Sequence, residues 1–313
     1  MPLPKPLRNR VSFLVVFVLA FDFAGCAKPS AYKSPVGKFR DAASVVIQST
    51  KVYLLELNKV ERDQYIYGQA GKPGQIQLNH IEEVQVFSKE GIAARLNALD
   101  QLADYTELLY ELTNSSAPET VKTRASDLQT TLTNLSDQIK NLTGENDKVF
   151  KSTAGKILPG IGDVLQAFVE QSLENALKKA IKKGEGPVNE LIEAIESDAA
   201  AAYQRKRTAY SGARVILIDQ YNREFEKADG ADPAKLKAYA DAISVGEDRW
   251  EAFLSAQPND GLEAMKKANT ALVKFAKTPK PNINDFASFA EAMDSFANTA
   301  SRVGKLIQEL TAK

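Results

Sequence analysis

Three scarcities frame this sequence. Its 313 residues include one cysteine, one histidine and one tryptophan, and 40 basic side chains are balanced by 40 acidic ones. A zinc site built from Cys and His needs three or four such ligands, so Cys26 and His80 do not suffice for one. A Ser-His-Asp triad or a Cys-His pair would have to run on His80 alone. Zero net charge gives no electrostatic case for nucleic acid, which requires a clustered basic surface. Strand patterning is also scarce: no stretch sustains an apolar/polar alternation. The apolar run Val11–Phe21 falls short of the ~20 residues that cross a bilayer.

What is present begins with an address. Residues 1–25 have a basic start with Lys5, Arg8 and Arg10, then the apolar run, then small residues, which is the order of a secretory signal peptide. The ending Phe23-Ala24-Gly25-Cys26 resembles the lipobox of bacterial lipoproteins, with Phe23 where that family usually has Leu. The resemblance implies cleavage before Cys26, acylation of its sulfur (palmitate-type chains), and anchoring to a membrane. Each buried methylene contributes ~0.8 kcal/mol, so two or three acyl chains hold a protein almost permanently. In a double-membraned host, Ala27 rather than Asp after the Cys implies the outer membrane, facing periplasm or surface. Removal of the leader, which carries Lys5, Arg8, Arg10 and Asp22, leaves a body of net charge −2 with no cysteine beyond the anchor. No disulfide is then available, so stability must come from the core.

After a tether at residues 26–35, the spacing predicts an all-α body over 36–313, an elongated antiparallel bundle of about four long helices plus shorter ones. A first helix is expected from about Val36 to Tyr67. A second is expected from about Leu78 to Leu112, bent at Gly91. The clearest pattern is Val121, Ala125, Leu128, Leu132, Leu135, Ile139 and Leu142, a heptad seam with polar residues between. Gly155, Pro159, Gly160 and Gly162 suggest a hinge at 151–162, and Pro187 reads as the start of the longest helix, Val188 to Asp229. A last helix carries Phe286, Phe289, Met293, Phe296, Ala300, Val303, Ile307 and Leu310.

Candidate chemistry is thin. His80 lies in Asn79-His-Ile-Glu-Glu83, but Gln77 stands where a di-metal bundle would need Glu, so a surface histidine is the better reading. The glycines of 155–160 lack the Gly-Lys-Ser/Thr ending of a phosphate loop. Arg205-Lys206-Arg207 reads as a solvated helix face. Neither catalytic residues, a metal site nor a cofactor is expected, and the body is not expected to be an enzyme.

One segment carries a sharper alternative. Residues 160–184 combine an apolar face, Ile161, Leu165 and Phe168 among it, with terminal lysines that include Lys179 and Lys182. These five residues are the candidate membrane or partner contacts. Such a helix resembles short membrane-active peptides, from which Asp163, Glu170 and Glu174 depart. The expectation is thus a lipid-anchored envelope protein whose bundle acts as an interaction or structural module toward an envelope protein partner. The alternative is a membrane-active, pore-forming-like helical protein that uses 160–184.

Overall fold

The computed structural model describes residues 29–69, 74–114, 118–170 and 173–312. Among them the chain is helical throughout, with no strand. In order the helices are α1 (Pro29–Gln69), α2 (Leu78–Glu83), α3 (Lys89–Asn114), α4 (Pro118–Lys140), α5 (Lys148–Glu170), α6 (Leu173–Phe225), α7 (Pro233–Ser255), α8 (Asn259–Lys277) and α9 (Ile283–Ala312). A single 3-10 turn, Glu145–Asp147, precedes α5.

Two long helices, α1 and α6, lie side by side and parallel, and the others pack around them. Cross-helix contacts fix the directions. Lys38 meets Asp294 and Phe39 meets Phe296, so α9 runs with α1. Arg40 meets Glu107 and Asn58 meets Phe87, so α3 runs against it. On α6, Gly160 of α5 faces Pro187 and Asp163 faces Lys183, which makes α5 and α6 an antiparallel pair. In line along α6, α7 covers its C-terminal half through Arg214–Glu247, and α8 covers its N-terminal half through Lys266–Glu193. At ~1.5 Å per residue, the 53 residues of α6 extend for about 80 Å. The result is an elongated all-α bundle.

The heptad seam of α4 lies where the sequence places it, with all seven apolar residues buried between α3 and α5. The other boundaries shift for identifiable reasons. Helix α1 begins at Pro29, so the expected tether at 26–35 is mostly helix. The helix expected over 78–112 is broken at 84–88. There Asn58 of α1 accepts from the Phe87 amide at 3.0 Å and donates to its carbonyl at 3.1 Å, holding that backbone outside any helix. Ser88 then caps α3 by accepting from the Gly91 amide.

The stretch 151–162, read as a hinge, is continuous helix in α5, and Pro187 sits inside α6 rather than at its start. A Cβ on Gly160 would lie 3.0 Å from the Pro187 ring, so this glycine serves close packing of two helices. Apolar residues on both sides of Pro187, Leu177, Ala180 and Ile181 before it and Val188, Leu191 and Ile192 after it, are buried. Their packing keeps α6 continuous despite the missing hydrogen bond. Residues 160–184, read as one helix, are instead divided between α5 and α6.

Candidate functional site

Cys26 lies outside the described residues. The first turns of α1 that follow it are pinned: the Tyr32 ring is buried, 5.2 Å from Phe275 of α8 and 6.5 Å from Phe289 of α9. Phe275 and Phe289 stack at 4.7 Å, and Phe286 packs edge-on against Phe275 at 6.2 Å. The start of α1, the end of α8 and the start of α9 therefore form one aromatic corner. Lys277 pairs with Glu185, which brings the first turns of α6 to the same end of the bundle. In the cap of α9, Asn282 Oδ1 accepts from the amides of Asn284 and Asp285, and Asp285 Oδ2 accepts from the Asn282 amide.

Of the five candidate contacts in 160–184, Ile161, Leu165 and Phe168 are buried in the bundle core. Lys179 is half-buried and Lys182 is exposed, both on α6. The apolar and basic residues thus belong to two different helices of one antiparallel pair, and the apolar ones are committed to helix packing.

Two groups of buried charge escaped the sequence reading. The first centres on Arg95 of α3, which is 1% exposed. Its Nε and Nη2 donate to Asp198 of α6 at 2.5 and 3.0 Å, and its Nη1 donates to Asp147 at 2.6 Å and to the Gly91 carbonyl at 2.9 Å. The guanidinium also stacks over Phe87 at 3.9 Å. Burial raises the Asp198 carboxyl pKa, and the bonds from Arg95 oppose that shift. A Cβ on Gly91 would fall 2.4 Å from the Asp147 carboxylate, so only glycine admits this arrangement.

The second centres on Lys206, which corrects the reading of 205–207 as a solvated face. Arg205 bonds Asn146 at the surface, but Lys206 is 0% exposed and points inward. Its Nζ lies 3.0 Å from Glu61 of α1, an ion pair without hydrogen-bond alignment. Burial lowers its pKa to about 8, against the opposing pull of Glu61. Tyr53 of α1 and Tyr210 of α6 both stack on Phe253, and their hydroxyls are buried without a partner. The signal for Lys206 was a skipped turn: the apolar stripe passes from Ala202 to Tyr210, and Lys206 fills the gap.

Two open grooves have volumes of about 460 and 490 Å³. One, between α5 and α6, is lined by Phe150, Lys156, Glu190 and Glu193 among others; the second runs between α1 and α9 past Val45 and Gly304. Exposed His80 sits on α2, its Nδ1 3.4 Å from the Tyr65 hydroxyl. Among the described residues, no group of three or more His, Cys, Asp or Glu could hold a metal ion, and no helix is long and apolar enough to cross a membrane. No family model, curated protein or solved structure matches this chain.

Proposed function

We propose that this is a lipid-tethered protein of a bacterial cell envelope, non-enzymatic, whose helical bundle serves as an interaction or structural module. The observation that carries the reading is the ordered leader ending in Phe23-Ala-Gly-Cys26, followed within three residues by a helix seated in the bundle core. Acylation at Cys26 would fix one end of an elongated body to the bilayer, leaving its length free to meet an envelope partner. The burial of Ile161, Leu165 and Phe168 supports this reading over the membrane-active one, because those side chains stabilise the bundle where they are.

Fractionation of expressing cells tests it. Wild type should sediment with membranes, resist carbonate and high salt, and be released by detergent. Cys26→Ser should move to the soluble fraction or remain uncleaved. Wild type in the soluble fraction would end this reading.

A further inference from the structure

The corner between α8 and α9 exposes apolar and basic side chains together, away from the segment 160–184 to which the sequence reading directs attention. On the first turn of α9, Ile283 is 75% exposed and Phe286 40% exposed, three residues apart and hence on one face. Lys274 and Lys280 of the same corner and Lys33 of α1 are also exposed. Asp285, the acidic residue between the two apolar side chains, has its carboxylate turned to the Asn282 amide. An exposed apolar pair with exposed lysines on the adjoining segments is the composition of a surface that rests at the headgroup level of a bilayer.

The tether decides where this surface must lie. Two residues separate Cys26 from Pro29, three Cα steps that span about 10 Å when fully extended. The corner touches the first turns of α1 through Tyr32. An acylated Cys26 would therefore keep the start of α1 within about 10 Å of the headgroups and the corner at the membrane-facing end of the bundle, where lysines are attracted to anionic lipid.

We infer that the α8–α9 corner is a foot: Ile283 and Phe286 enter the boundary between headgroups and acyl chains of an anionic phospholipid bilayer, with Lys33, Lys274 and Lys280 on the surrounding phosphates. The inference rests on the lipid-anchor reading for its geometry. It makes the tether and the foot two contacts that together set the bundle's orientation on the membrane, where the tether alone would let it swivel.

The test uses the full chain purified from membranes and reconstituted in phosphatidylglycerol-containing vesicles, with an environment-sensitive label at Asn284→Cys and a control label at Val215→Cys on the exposed surface of α6. Intact mass of the same preparation reports acylation of Cys26. The label at 284 should shift to the blue and be quenched by lipids carrying quenchers, while the label at 215 stays unquenched. Ile283→Asn, at an exposed position that leaves the fold intact by circular dichroism, should cut the quenching at least twofold. Lys280→Gln, tested in the unacylated Cys26→Ser chain, should weaken vesicle binding about fivefold.

An unquenched label at 284 on a chain whose mass confirms acylation overturns the foot and leaves the tether standing. A concentration-dependent blue shift without vesicles shows that a second copy covers the corner and also overturns it. If the mass shows no acyl chains, the tether reading fails. Quenching at 284 on added anionic vesicles would then still support the foot, and no quenching would overturn it.

Discussion

The two halves of α6 are built differently. From Ala176 to Tyr203 the helix presents a continuous buried stripe to α5, α8 and α3, broken only by Asp198, whose charge Arg95 pairs with two bonds. Beyond Tyr210 no apolar side chain of α6 is fully buried, and its partner α7 buries only Phe253. Val215, Ile218 and Phe225 face solvent there. The half that α8 covers is a packed bundle, and the far half, past the last contact of α1 at Ile216, is covered mainly by α7. Two buried cations lie near the boundary between them, Arg95 of α3 against Asp198 and Lys206 of α6. Arg95 finds two carboxylates, a backbone carbonyl and an aromatic ring, whereas Lys206 finds one half-buried carboxylate. Burying charge is tolerable when the geometry satisfies it and expensive when it does not.

The largest test of this contrast is Arg95→Met. It strands Asp147 and Asp198 in the core and should cost about 3–5 kcal/mol in urea unfolding; a cost below about 1 kcal/mol would mean that the network is not integral to the packed half. The second test is pH. Lys206 has a folded pKa of about 8, below its unfolded value of 10.5, so between those values the unfolded chain binds more protons and stability rises with pH. The Lys206 contribution alone should reach about 2 kcal/mol by pH 10. From about pH 9.5 upward Tyr53, Tyr105 and Tyr210, whose burial raises their pKa values, offset and then reverse it, because they ionise first in the unfolded chain. Lys206→Met should flatten the rise without removing the fall.

Smaller effects sharpen the boundary. Gly160→Ala places a methyl group 3.0 Å from Pro187 and should destabilise by about 1–3 kcal/mol, while Gly155→Ala, with open space around it, should be neutral or stabilise by up to about 1 kcal/mol. Differential scanning calorimetry separates the two. Val215→Ser on the far half should change stability by less than about 0.5 kcal/mol. Hydrogen exchange should find the amides of 211–225 opening more readily than those of 176–203.

Much of the bundle is legible because its helices state their own faces. The α4 seam is read residue by residue, and so is α9 from Phe289 to Leu310. What escapes depends on residues far away in sequence. The break at 84–88 is made by Asn58 of another helix, and the role of Gly160 is set by Pro187. Nothing between Asp163 and Lys183 contains a Gly or Pro to announce that two helices share the segment. Phe286 belongs to the α9 stripe by spacing, yet it is partly exposed because α9 reaches the end of the bundle there. The buried cations show in sequence only as charged residues at stripe positions, Arg95 among alanines and Lys206 in the gap between Ala202 and Tyr210.

The central claim is that Cys26 is the attachment point. Intact mass spectrometry of the mature chain, extracted from membranes with detergent, tests it most directly. The expected result is a chain that begins at Cys26 and carries the added mass of acyl groups on that residue. A chain that retains residues 1–25, or one that starts elsewhere with a free thiol at Cys26, would contradict it.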